Sequence, residues 1–130
     1  CRYSSLEMEK LEQILASIGM SGKEDYPVST LPLSEQRKVD FGMLSALDSE
    51  LLLLDEPFAG LGADQIGELE GMVRVFAEQK AIFIIEHRMD ILLEIASRVI
   101  VMSRGVLITD GTPQEVKSND AVLKSYLGEG

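Results

Sequence analysis

Several classes of protein are excluded by what this sequence lacks. It has a single cysteine, Cys1, so no internal disulfide can form and no second thiolate stands near it to share a metal, which fits a reducing cytoplasm. Its longest unbroken apolar runs are Leu51–Leu54 and Ala81–Ile85, far short of the ~20 residues a membrane-crossing helix needs. Direct insertion into a membrane is therefore not expected. Positive charge is also scarce: 12 Lys and Arg stand against 22 Asp and Glu, for a formal net charge of −10. Such a balance repels phosphate backbones and argues against nucleic acid as a partner. The acidity reads most simply as that of an ordinary solvated surface. No methionine starts the chain, and no basic start, apolar run and small-residue cleavage site mark a signal peptide. The reading is of a piece of a longer chain, without internal repeats or low-complexity tracts.

What is present suffices for one compact domain or part of one, since the 130 residues are 45% hydrophobic. Met8, Leu11, Leu15 and Ile18 recur at helical spacing before Gly19, which predicts an amphipathic helix over 5–18. A turn-rich stretch with Gly19, Gly22, Pro27 and Pro32 leads to a second helix over about 34–47, expected to bury Val39, Met43 and Leu47. The pattern then alternates. A strand is expected at 51–54, a helix at 65–78 with Ile66, Leu69, Val73 and Phe76 on one face, and a strand at 81–86. A short helix at 89–96, strands at 98–102 and 106–109 joined through Ser103-Arg104-Gly105, and a last helical region after Gly111-Thr112-Pro113 complete the chain. Val122, Leu123, Tyr126 and Leu127 give that last region its apolar stripe. Strands separated by helices of these lengths imply an α/β fold whose parallel sheet is covered on both faces.

In such sheets ligands sit beyond the carboxyl ends of the strands, and both buried strands end in charge. Asp55 and Glu56 follow four leucines directly, and Glu86 and His87 end the next strand. Two carboxylates at a strand tip suit a magnesium-bound nucleotide, one holding the metal and one polarising an attacking water. The same residues would also suit a solvent-exposed Asp-Glu-Pro turn. His87, the one histidine, could hydrogen-bond a terminal phosphate or simply sit on the surface.

The segment Leu51-Leu52-Leu53-Leu54-Asp55-Glu56-Pro57 resembles the Walker-B strand of ATP-binding-cassette ATPases. Phe58-Ala59-Gly60-Leu61-Gly62-Ala63-Asp64 resembles the D-loop that follows it in that family, and Ile84-Ile85-Glu86-His87 resembles the strand bearing its switch histidine. Arg98 to Met102, Gly105, and Asp110 to Val116 are similar to the hairpin and Gly-Thr-Pro segment that close the family's domain. The ending Tyr126-Leu127-Gly128-Glu129 is similar to ATPases of branched-chain amino acid importers. The resemblance implies a partial RecA-like P-loop NTPase core: a mostly parallel sheet with a C-terminal antiparallel hairpin. Residues 48–130 would form the C-terminal part of that core, and residues 1–47 the end of a helical subdomain with its signature loop.

Carried over by position, the resemblance implies ATP and Mg2+ as ligands, with Asp55 on the magnesium, Glu56 on the attacking water and His87 on the γ-phosphate. Gly60 and Gly62 would shape a loop that meets a second ATPase subunit, although the family commonly has Asp where this chain has Gly62. The family's Leu-Ser-Gly-Gly-Gln signature falls, without gaps, on Leu31-Pro32-Leu33-Ser34-Glu35. That is a degenerate match. The signature holds the opposite subunit's γ-phosphate through a hydroxyl and glycine amides at a helix N-terminus, whereas Pro32 offers neither hydroxyl nor N–H. Glu35 adds negative charge there, and Ser34 could cap the helix or keep part of the contact. The phosphate-binding loop G-x-x-x-x-G-K-[ST] is absent from the sequence. Gly22-Lys23 only imitates it, with Ser17 at the first glycine, Glu24 at the hydroxyl position and a helix instead of a strand before it.

The expected function is thus part of an ATP-hydrolysing subunit that drives solute transport. Its partners would be membrane permease subunits and a second ATPase subunit, and its place the cytoplasmic face of the membrane. A non-catalytic interaction or regulatory module of the same fold is the competing reading. A DNA-repair ATPase is disfavoured by the acidity and by the lack of coiled-coil heptads. A parallel sheet lacking neighbouring strands should leave an apolar face and an unpaired edge open, which predicts some self-association.

Overall fold

The computed structural model describes residues 4–47 and 49–127, with side chains to residue 124. Cys1, Gly128, Glu129 and the side chains of Tyr126 and Leu127 lie outside what is described. The chain divides into two compact units, Cys1–Ile85 and Glu86–Gly130.

The first unit opens with helix α1, Ser5–Ser17, started by a capping box. The Ser4 hydroxyl accepts from the Glu7 amide at 3.2 Å, and the Ser4 amide donates to Glu7 Oε2 at 2.7 Å. These hydrogen bonds hold the Glu7 carboxyl below its ordinary range, the Ser4 amide contributing most. The amphipathic expectation needs correction, because no residue within α1 is buried and Met8 and Leu11 are both 40% exposed. Contact begins only at its end, where buried Ile18, Met20 and Leu31 form a cluster with Leu15, Val39 and Met72 packed against it.

Helix α2, Leu33–Ala46, buries Phe41 and Gly42. Val39 is half-buried, but Met43 and Leu47 are exposed. The inward stripe is thus rotated from the expected one. Helix α1 approaches over Gly42, and the Phe41 ring stacks on Phe76 with centroids 5.8 Å apart. Lys80 then ties down the chain before the first strand by donating to the carbonyls of Leu47 and Ser49 at 2.9 and 2.8 Å.

Strand β1, Leu51–Asp55, and strand β2, Ala81–Ile85, pair in parallel, with Leu51 opposite Ala81 and Asp55 opposite Ile85. Helix α3, Ala63–Ala77, crosses between them and buries Ile66, Leu69 and Val73. Leu52 and Leu54 are buried, while Leu51, Leu53, Phe83 and Ile85 are exposed. The sheet is therefore covered on one face rather than both, as a parallel pair without neighbouring strands would be. This agrees with the open apolar face anticipated above.

In the second unit, helix α4, Met89–Ile95, precedes an antiparallel hairpin of β3, Val99–Ser103, and β4, Val106–Gly111. Arg104 and Gly105 turn the chain with φ of 50° and 77°, the pair of positive values that a two-residue hairpin turn requires. The register shifts between Val101 and Met102, marking a bulge. Arg98 grips Asp110 in a bidentate pair at 2.8 and 2.6 Å.

The last helical region is two helices, α5, Pro113–Lys117, and α6, Asp120–Leu127. Thr112 caps α5 and Pro113 takes its first position. The Ser118 hydroxyl then turns back to the Gln114 and Glu115 carbonyls, both at 3.1 Å, and Asn119 Oδ1 accepts from Ala121 and Val122 to begin α6. Val99, Val116 and Val122 form this unit's core.

Candidate functional site

The acidic pair stands at the carboxyl end of β1. Asp55 closes the strand and Glu56 follows it, both exposed. Glu56 has φ of 45°, in the left-handed region that costs a residue with a Cβ about 1–2 kcal/mol. Its amide nevertheless donates to the Ile85 carbonyl at 2.8 Å, joining the ends of β1 and β2. Backbone strain of this kind persists only where the surroundings impose it, and it concentrates at functional sites. Here the surroundings are visible: Pro57 and Phe58 are buried directly behind the turn, and the Ala59 amide donates to the Glu56 carbonyl at 3.1 Å.

Gly60 follows with φ of 76°. A Cβ added there would lie 3.0 Å from Leu33 Cδ2, so a methyl of α2's first residue packs against this turn. Leu61 is buried. Gly62 caps α3, its amide donating to Gln65 Oε1 at 3.1 Å.

The segment expected to stand in the signature's place, Leu31–Glu35, lies at the start of α2. Leu31 is buried, Pro32 is the N-cap, and the amides of Glu35 and Gln36 both donate to the Pro32 carbonyl at 3.0 Å. Ser34 therefore sits inside the first turn, not at the cap, which corrects one expected role. Glu35 Oε1 pairs with Lys23 Nζ at 2.6 Å, while Glu35 Oε2 is buried with no hydrogen-bond partner. The positive end of the helix dipole thus already faces a carboxylate belonging to its own chain. Sequence reasoning missed Lys23, which had stood out only as part of a false phosphate loop. In the structure Gly22 and Lys23 lie in the turn region between α1 and α2.

His87 belongs to the second unit, two residues beyond the end of β2. Its imidazole is 70% exposed, and its Nδ1 lies 3.8 Å from Glu86 Oε2. The Glu86 side chain is fully buried and accepts from the His87 amide at 3.1 Å. The two residues line the edge of an open cavity of about 370 Å³ with Leu92, Val99, Met102 and Arg104. Among the described residues no group of three or more His, Cys, Asp and Glu side chains forms a metal cage. Magnesium keeps waters and nucleotide phosphates and needs only one or two protein carboxylates. Exposed Asp55 at a strand tip fits that requirement.

Several known proteins are similar to this chain. Residues 106–130 match a family described as "Branched-chain amino acid ATP-binding cassette transporter". The high-affinity branched-chain amino acid transport ATP-binding protein LivG of Salmonella typhimurium is 30% identical over 98% of this chain and 51% of its own length. BraF of Pseudomonas aeruginosa, described in the same words, is 27% identical over 94% of this chain and 49% of its own. The ADP conformation of MJ1267, an ATP-binding cassette of an ABC transporter, superposes with a TM-score of 0.85 at 26% identity, covering 98% of this chain and 52% of that one. The chain is similar to ATP-binding-cassette ATPases over nearly all of its length. It spans about half the length of the curated relatives it matches, and it corresponds to the C-terminal portion of such an ATPase. A partial P-loop NTPase core explains why the chain has a parallel pair beside helices in one unit and an antiparallel hairpin in the other. Among the described residues, no helix is long and apolar enough to cross a membrane.

Proposed function

We propose that this chain is the C-terminal part of an ATP-binding subunit that hydrolyses Mg-ATP to drive solute transport, with branched-chain amino acids as the solute class. Residues 1–47 are then the end of its helical subdomain and residues 48–130 the end of its ATP-binding core. The observation that carries this reading is the turn at Asp55-Glu56. Two exposed carboxylates follow an apolar strand, and the second is held at a strained φ of 45°. Asp55 would hold the magnesium, which when bound would supply Lewis-acid stabilisation of the phosphate's charge. Glu56 orients the attacking water and accepts its proton. His87, exposed and with its backbone amide held by Glu86, donates to the terminal phosphate.

Gly60 and Gly62 form part of the surface that meets a second ATPase subunit, and permease subunits hold the pair at the inner face of the membrane. The chain lacks a phosphate-binding loop, so the longer protein supplies it. The test is magnesium-dependent ATP binding by that longer protein with Asp55→Asn. Loss of the magnesium dependence supports the assignment, and unchanged dependence rejects it.

A second reading has its own support. Pro32 at the cap offers neither hydroxyl nor N–H, and Glu35, paired to Lys23 at 2.6 Å, sets a carboxylate in the first turn, so the start of α2 is poorly suited to hold a phosphate. The composite site this chain completes for its partner is then a poor one, and one of the two ATPs in the assembly turns over slowly. Two equally active sites in the purified assembly would refute it.

A further inference from the structure

The signature segment has lost the groups that grip a phosphate, yet it touches the acidic turn. Leu33, the first residue of α2, places Cδ2 3.0 Å from where a Cβ of Gly60 would lie. From Gly60 the chain runs back through Ala59, Phe58 and Pro57 to Glu56. That short turn is fastened from inside by buried Phe58 and Leu61, and by hydrogen bonds from Ala59 to the Glu56 carbonyl and from Leu61 to the Phe58 carbonyl at 3.1 and 3.3 Å. On its outer side it meets the Leu33 methyl, which is itself 43% exposed.

Glu56 at φ of 45° stands outside the ordinary wells of a residue with a Cβ and persists there only where its surroundings impose it, whereas Gly60 at 76° closes the turn without steric cost. Leu33 cannot move freely either. Its helix begins between buried Leu31 and the Lys23–Glu35 pair, and Gln36 Nε2 donates to the Leu31 carbonyl at 2.8 Å.

We infer that Leu33 is a positioning residue for Glu56: its methyl closes the outer side of the Glu56–Leu61 turn over Gly60, so the degenerate segment keeps a mechanical role after losing its phosphate contacts. The inference rests on the reading of Glu56 as the water-orienting carboxylate, but its structural part is measured without nucleotide. In the longer protein that carries this chain, without nucleotide, hydrogen exchange at the Ala59 and Leu61 amides reports opening of the turn, and the β1–β2 ladder amides report the rest of the unit. Leu33→Ala should speed exchange at Ala59 and Leu61 by roughly tenfold and leave the ladder amides within about twofold. Leu33→Met, which restores a reaching apolar side chain, should return the turn to its original rate.

Unchanged exchange at Ala59 and Leu61 would overturn the inference. An equal acceleration of turn and ladder would also overturn it, because Leu33 would then contribute only general stability. Should Leu33→Ala fail to fold, Leu33→Val is read in the same way. In the longer protein, Leu33→Ala should lower kcat for ATP several-fold with little change in KM. If that protein hydrolyses no ATP, the functional reading fails while the exchange result stands on its own.

Discussion

A Cβ on Gly42 would lie 2.8 Å from Ile18 Cδ1 and 3.3 Å from Ile14 Cγ2, so glycine at this place in α2 sets how closely α1 approaches. Alanine there gains about 1 kcal/mol of helix propensity but must push one terminal methyl aside, and the two effects nearly cancel. Leucine has no such escape. Gly42→Leu should destabilise the chain by about 1–3 kcal/mol through overpacking, while Gly42→Ala stays near neutral. Urea denaturation midpoints measure the difference.

Glu56 carries a conflict between fold and chemistry, since its φ of 45° suits glycine better than glutamate. Glu56→Gly should therefore raise stability by roughly 0.5–1 kcal/mol, the strain relief being partly offset by the greater freedom of glycine in the unfolded chain. A lower thermal midpoint in this variant would mean that glutamate's own contacts outweigh the strain.

How much of this was legible in the sequence differs from element to element. The two apolar strands, each ending within one residue of expectation, the turn at Gly105 and the start at Thr112-Pro113 are readable because each depends on local chemistry: charge closing an apolar run, a glycine free to take positive φ, a hydroxyl cap before proline. The face of α2 was not readable. Met43 and Leu47 are as apolar as Phe41 and Val39, and only the approach of α1 over Gly42 decides which of them turn inward. The helical region expected after Pro113 is parted into two helices at Ser118-Asn119, whose side chains bond to nearby backbone, a competition that hydrophobic spacing does not register. At the candidate site, Asp55, Glu56 and His87 were found as residue types at strand ends. Lys23–Glu35 and Leu33–Gly60 were missed because they join positions 12 and 27 residues apart.

Acid should loosen the hairpin of the second unit. Hydrogen bonding from Arg98 holds the Asp110 carboxyl below its ordinary value, and the Thr112 amide does the same for Glu115. A carboxyl whose folded pKa is depressed contributes stability above its unfolded pKa and loses it as pH falls through the folded value. Stability should accordingly be flat near neutrality and decline below the ordinary carboxylate range of about pH 4. Asp110→Asn should shrink that decline. Denaturant midpoints taken from pH 7 down to pH 2.5 test it, and identical pH profiles for the two proteins would contradict the assignment.

The open sheet face predicts association without loss of fold. Leu53 is 70% exposed and Phe83 49%, so Leu53→Lys should change stability by no more than about 0.5 kcal/mol. It should also reduce the concentration-dependent rise in light scattering. Equal scattering by both proteins would assign any association to another surface.

The most direct measurement is steady-state ATP hydrolysis by the longer protein that carries this chain, with Glu56→Gln as the single change. The account predicts that hydrolysis falls by at least about 100-fold, the range expected when a general base is removed, while magnesium-dependent ATP binding persists. Hydrolysis at the original rate would contradict it.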